Sequence, residues 1–400
     1  MPERRPAPQA GPESAPVVRR TRRRWSAAVL TATVLGLGSC LLAAGAPVQA
    51  AAHGWLPEAA PVDQASLLAV AQVGPRTTWA AGAELSQSGK AVRQTPLLLA
   101  RDDRAGDGWR RVQVPGVDSS GSRFNAVSAA APDDVWLTGD ATADGILTAH
   151  WDGTAWRTVS APVPPNDGAG LLGVAAVSPA DAWAVGWATA TDGSGAFTGL
   201  IEHWEGASWR AVPLPAGSSV AALNAVTAVS ARDVWAAGFD TDDQPVLLHY
   251  DGAAWKQLPR PPIGGPYGEV NALAAAGPDD VWAVGRVVTD ENDRGHALAL
   301  HWDGTAWHRL RTPASAGPLS SVAVTPHGAL AVGQDPGRTR ALALRWTGGT
   351  VLRRDLPAPA GADSAQPTGI EADAGSATVV GAANSPGADL PAPLLLTGRR

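Results

Sequence analysis

The sequence predicts an all-β fold, a seven-bladed β-propeller built from four-stranded antiparallel blades. Three observations predict it. A short apolar motif ending in glycine recurs seven times, the best copies each hold four apolar runs separated by turn residues, and the last copy lacks a fourth run that the opposite end of the chain can supply.

The clearest copy reads VNALAAAGPDDVWAVGRVVTDENDRGHALALHWDGTAW over residues 270–307. Its first run, Val270 to Ala276, is broken by Gly277-Pro278-Asp279-Asp280, where proline presets φ and aspartate side chains can bond the nearby backbone. Val281 to Gly285 is a second run, whose Trp and Val suit a pleated surface. A polar stretch follows, then Ala297 to Trp302 as the third. Asp303-Gly304 accepts the positive φ of a tight hairpin, and Thr305 to Leu310 is the fourth run. Four strands per unit with such closely spaced turns argue for an antiparallel all-β architecture, and no 3.6-residue apolar period stands out beyond the N-terminus.

Aligned on the glycine closing the second run, the copies fall at Gly82, Gly139, Gly186, Gly238, Gly285, Gly333 and Gly381, with spacings of 57, 47, 52, 47, 48 and 48. A His-(Trp/Tyr)-x-Gly-x-x-Trp signature marks the third and fourth runs at 150–156, 203–209, 249–255 and 301–307. It is degraded at Arg345-Trp346-Thr347-Gly348 and faint around Trp109. A period near 50 residues holding four strands describes a propeller blade. One such sheet cannot bury both faces alone, whereas a ring of them buries each face against a neighbour.

The seventh copy has runs near Pro367–Asp373, Ala377–Ala383 and Pro393–Thr397 and then stops. Before the first copy stands His53-Gly54-Trp55-Leu56-Pro57, with Trp55 in the position of Trp156, Trp209, Trp255 and Trp307. The N-terminal strand is therefore expected to complete the last blade, closing the ring and covering a sticky edge.

The pattern vWAVG…HWDGtaW resembles the kelch repeat, with its glycine after the second strand and its Trp in the fourth, although one glycine stands where kelch repeats carry a pair. The DVWAVG/HWDGTAW form also resembles propeller repeats of secreted actinobacterial proteins, and its DGxxW turn is similar to the Asp-box of sialidase-type propellers without that motif's serine. These resemblances imply the fold; none implies an activity.

Residues 1–50 are expected to be an export signal and 51–400 one propeller domain. Arg19, Arg20, Arg22, Arg23 and Arg24 precede an apolar run from Ala27 to Ala46, and Val48-Gln49-Ala50 offers small residues for cleavage. Cys40, the sole cysteine, sits in a lipobox-like Leu37-Gly38-Ser39-Cys40, so a lipid anchor at Cys40 and an uncleaved signal are the alternatives to release. In each case the propeller lies outside the cell, secreted or on the surface. The first 50 residues carry seven Arg and two Glu, net +5, and the whole chain is −6, which leaves −11 on the remainder. Only Lys90 and Lys256 supply lysine, and no basic patch alternates with aromatics, so nucleic acid is not an expected partner. A cysteine-free propeller can hold neither a disulfide nor a thiolate metal site.

Sixteen of the 17 tryptophans lie after the signal, nearly all at repeat positions, which assigns them to packing between blades. Trp187 follows Gly186 outside the pattern and is a candidate ligand contact. His150, His203, His249 and His301 recur on the third strand, spread around the wheel, and are expected to bond a neighbouring turn rather than converge on a metal. Asp134, Asp181, Asp233 and Asp280 read as turn-fixing residues. Asn125, Asn224 and Asn271 fall on the innermost strand and are candidates to point into the channel.

Loops on a rigid scaffold carry function, and the loops joining second to third strands share a face with those joining blades. That face is expected to hold Asp140, Asp240, Asp242, Asp243, Asp290, Glu291 and Asp293, with Tyr267 and Glu269. No cofactor and no metal site is expected. The resulting expectation is a monomeric, non-catalytic binding or scaffolding module for an extracellular protein or glycan. The alternative is a glycan-active enzyme using carboxylates at one mouth of the channel; nothing in the sequence fixes the separation such a pair needs.

Overall fold

The computed structural model describes residues 54–399 except 74–76, 103–107, 118–120, 142–144, 163–167, 190–193 and 291–292. The export-signal and Cys40 readings, and Glu291, lie outside the described residues. The described chain forms 28 strands arranged as seven four-stranded antiparallel sheets, with no helix among the described residues. Six blades take four consecutive strands each. The seventh takes Ser364–Ala372, Ser376–Asn384 and Ala392–Arg399 from the C-terminal end and Trp55–Pro57 from the N-terminal end.

The closing strand pairs as expected, with Trp55 opposite Gly398, Leu56 opposite Thr397 and Pro57 opposite Leu396. Trp55 is buried. In the repeats the same cross-strand position holds Trp151, Trp204, Tyr250 or Trp302 against the fourth-strand Trp. Here it holds Gly398, and a Cβ there would lie 2.7 Å from the Trp55 ring. The seam is pinned to the first blade by Glu58, whose carboxylate receives Arg101 Nη1 at 2.7 Å together with Trp109 Nε1 and Thr397 Oγ1.

The recurring glycine has a common cause. In each blade the innermost strand is bulged opposite it, at Leu68, Asn125, Leu172, Asn224, Asn271, Ser320 and Thr368. The bulge pushes a backbone carbonyl towards the second strand. A Cβ on any of the seven glycines would meet that oxygen at 1.9–2.2 Å, for example Glu269 O at 2.0 Å from Gly285. Only glycine admits this approach.

The bulge residues also correct the expectation for Asn125, Asn224 and Asn271. Their Nδ2 groups donate to carbonyls of the next blade, Leu171 at 2.9 Å, Val270 at 2.8 Å and Leu319 at 2.8 Å, rather than standing free in the channel. Ser320 and Thr368 make the same bond to Pro367 and Leu67. The extra residue of a bulge breaks the two-residue alternation on which an inward reading rests, and turns the side chain sideways along the ring.

Aromatic packing joins the blades further out. Four second-strand tryptophans insert between the aromatic pair of the following blade: Trp79 against Trp151 and Trp156, Trp136 against Trp204 and Trp209, Trp183 against Tyr250 and Trp255, Trp235 against Trp302 and Trp307, while Trp282 meets Trp346 of the sixth blade. Edge-to-face contacts recur, with centroids 4.9–5.7 Å apart at near-right angles, a geometry that favours ring quadrupoles. His150, His203 and His249 stack on Trp136, Trp183 and Trp235 within their own blades, and His301 lies tilted against Trp282. Each receives or gives a hydrogen bond at 2.7–2.8 Å with Asp134, Asp181, Asp233 or Asp280 at the start of the second strand. The expected turn bond is thus present, and its partner is the repeat aspartate.

One buried group breaks the apolar pattern. Glu202 is fully buried and neither carboxylate oxygen has a partner. It lies on the face of its strand shared by Leu200 and Trp204, which pack with Trp136 of the second blade. Desolvation pushes its pKa up to about 8, so the neutral acid is the form the core holds at neutral pH.

Candidate functional site

The starts of the innermost strands, the ends of the second strands and the loops beyond them form one face of the ring. The residues gathered there do not make a single cluster; they divide into sectors.

Between the second and third blades, Trp187 lies opposite Gly170 in the strand pair. Its ring covers two side-chain-free positions: a Cβ on Gly168 would lie 3.7 Å from the benzo edge, and one on Gly170 would lie 3.2 Å from Nε1. Phe197 supports it edge-on, with centroids 5.2 Å apart. The same Gly170 Cβ position lies 3.2 Å from Oδ1 of Asp140 on the neighbouring blade. Asp140 accepts from Arg123 Nε at 3.0 Å through Oδ2, and from Asn125 Nδ2 through Oδ1. Arg123 is itself nearly buried. Burial raises the Asp140 pKa, opposed by Arg123 and by the Asn125 bond, while about a quarter (24%) of its side chain stays exposed.

Between the fourth and fifth blades, Asp240 is buried and consumed by structure. Its Oδ1 accepts from the backbone of Asp242 at 2.9 Å and Gln244 at 3.0 Å, and Arg260 binds its Oδ2. This holds a tight loop in which Asp243 adopts a left-handed φ of 57°. Asp242 is exposed and Asp243 half-buried. Desolvation raises the Asp243 pKa, with Asp240 and Asp242 adding to it and Arg286 opposing. Tyr267 is 44% exposed. Two residues on, Glu269 is clasped by Arg286, with Nε to Oε1 at 2.9 Å.

Around the fifth and sixth blades, Asp290 is exposed, whereas Asp293 caps its own loop through Thr289 N at 2.9 Å and Gly295 N at 2.8 Å. Arg294 and Arg338 are both exposed, and Gly295 rests against the Arg286 stem. Partial desolvation, and then Arg286 and Arg294, hold Arg338 below the ordinary guanidinium value, with Glu269 opposing. An arginine group is therefore present, assembled from two blades, where the sequence shows no cluster. Nor does the sequence join Arg123 to Asp140 as the foot of the Trp187 corner. The break in the repeat at Trp187 is the one signal that reaches that corner.

Glu269 and Asp240 are each paired with an arginine. Among the described residues, no group of three or more His, Cys, Asp or Glu is placed to hold a metal ion. No helix among the described residues is long and apolar enough to cross a membrane.

No family model matches this chain, and no curated protein sequence does either. Solved structures do match. YCF48 bound to D1 peptide is similar at 15% identity and a TM-score of 0.57, over 88% of this chain and 98% of that one. A protein of unknown function from Dyadobacter fermentans is similar at 12% identity and a TM-score of 0.50, over 87% and 99%. The fucose-specific lectin of Aleuria aurantia is similar at 15% identity and a TM-score of 0.47, over 75% and 100%. At such identities the likeness is one of fold. The described residues form a seven-bladed β-propeller whose repeat positions serve packing.

Proposed function

We propose that this protein is an exported, non-catalytic binding module of kelch-like type, related to secreted actinobacterial repeat propellers, that engages an extracellular protein or glycan through the face just described. One observation carries the reading. The repeat residues (the tryptophans, the His–Asp pairs, the bulge amides) are used up in holding blades together, while Trp187, Asp140, Tyr267, Glu269, Arg286 and Arg338, which lie outside the repeat signature, collect on the side where loops vary. YCF48, a fold neighbour, carries a bound peptide, so such a ring is compatible with a peptide partner. Fold alone does not assign a ligand.

The test is capture on glycan and peptide arrays by the purified chain, compared with Trp187→Ala, Tyr267→Ala and the opposite-face variant Lys256→Ala. Binding without product release, lost only in the first two, supports the reading. Turnover of a captured glycan would replace it with an enzymatic one. Export is tested separately by fractionating cells that express the full chain; retention in the cytoplasm would refute it.

A further inference from the structure

Gly170 is the point from which the corner between blades two and three is best understood. A side chain there would run into two groups, Trp187 Nε1 and Asp140 Oδ1, each 3.2 Å from the Cβ position. One is a donor with no hydrogen-bond partner among the described residues. The other belongs to a carboxylate already oriented by Arg123 and Asn125. The carboxylate keeps lone pairs to spare, since each oxygen accepts from one side chain and can take more.

The two glycines, Gly168 and Gly170, let the Trp187 ring lie flat along the inner strand, and Phe197 fixes it from the side. The ring is neither sealed in the core nor loose; it is half-buried. A flat aromatic surface beside a fixed carboxylate, an amide and a guanidinium is a combination with a definite chemical counterpart. The ligand must present an apolar C–H face to the indole and, at its rim, groups that accept from an N–H and donate to a carboxylate at once. A hydroxyl does both. A ring with one C–H face and a rim of hydroxyls is a sugar.

We propose that this corner is a saccharide subsite: a neutral pyranose stacks on Trp187, and one of its hydroxyls bridges Trp187 Nε1 and Asp140 Oδ1. This rests on the binding reading above and narrows it to glycans for this sector. Arg123 and Asn125 act as positioning residues, holding Asp140 in place rather than meeting the sugar.

The probe is a set of agarose matrices bearing glucose, galactose, mannose, fucose or N-acetylglucosamine, run with the purified chain. Retention on at least one matrix, released by the same free sugar, is expected. Trp187→Ala and the isosteric Asp140→Asn should each weaken it at least tenfold. Leu352→Ser, an exposed change on the outer strand of the sixth blade, should leave it unaltered. Asp140→Asn keeps the shape of the corner, so its loss cannot be put down to misfolding when its thermal melt matches the parent. No retention on any matrix overturns the proposal, as does retention that survives both substitutions. Peptide capture through Tyr267 and Arg338 with no sugar retention would also overturn it, while leaving the broader binding reading in place.

Discussion

Glu58 and Arg101 meet at 2.7 Å across the seam of the ring, one just past the closing strand of blade seven and the other in blade one. The pair is largely shielded, with the side chains 27% and 11% exposed. Arg101 also lies over the Trp109 ring at 5.1 Å.

Glu58→Ala therefore removes the acceptor of three donors at once and leaves a guanidinium half-stranded. It should cost roughly 2–4 kcal/mol and raise the tendency to aggregate, since the outer edge of the seventh blade loosens. Urea unfolding measures the first and light scattering the second. A loss below about 0.5 kcal/mol, the scale of an exposed ion pair, would show that the seam does not depend on this carboxylate.

Gly285→Ala and Gly277→Ala differ in one respect. At Gly285 the new methyl would sit 2.0 Å from the Glu269 carbonyl, whereas at Gly277 nothing lies within 4 Å. The first should cost several kcal/mol (about 3 or more) or abolish soluble expression, and the second should fall within about 0.5 kcal/mol of the parent. Equal effects would refute the bulge account of the repeat glycine.

The bulge bonds circle the ring except after Leu68 and Leu172, which carry no donor. Asn271→Ala should cost about 1–2 kcal/mol by leaving the Leu319 carbonyl short of a partner. Leu172→Asn is expected to supply a missing bond, to the Leu223 carbonyl, and to hold stability level or raise it by up to about 1 kcal/mol. Chemical denaturation of both variants checks the pair; a Leu172→Asn chain much weaker than the parent would count against it.

Glu202 sets a pH dependence with a definite sign. Its ordinary value is 4.5 and burial raises it to about 8 in the folded chain. The folded state therefore holds a proton the unfolded chain gives up between those values. Its stabilising form is fully present below about pH 4.5 and is lost as pH rises through about 8. Glu371, raised by burial to about 7, acts in the same direction. The Glu202 part is on the order of 5 kcal/mol at most. Glu202→Gln should flatten the curve of unfolding free energy between about pH 5 and pH 8; a variant curve as steep as the parent's would show that another group sets it.

The architecture was legible because it repeats. Seven glycines, the Trp-x-x-Gly endings and the DGxxW hairpins each report a backbone need local to a few residues, and Trp55 could be placed by its likeness to Trp307. The His–Asp pairs were half legible, since both partners recur but their pairing does not. The bond from Asn271 to the Leu319 carbonyl was not legible, because it joins two blades at a bulge that breaks the strand's alternation. The Trp187 corner and the Arg286–Arg338 neighbourhood join residues from different blades, so no spacing along the chain announces them. Glu202 is one letter in a run of apolar equivalents, and its burial shows only once two sheets are stacked.

The seam has a consequence for how the molecule comes into being. Glu58 and Thr397 touch although 339 positions separate them, and the seventh sheet cannot exist until both are present. An open array can add units one after another and melt from its tips; this one has no tip. Its folding should be slow and all-or-none, limited by a single long-distance encounter. A nick anywhere in the wheel should be tolerated better than the loss of four residues at the place where the two ends shake hands.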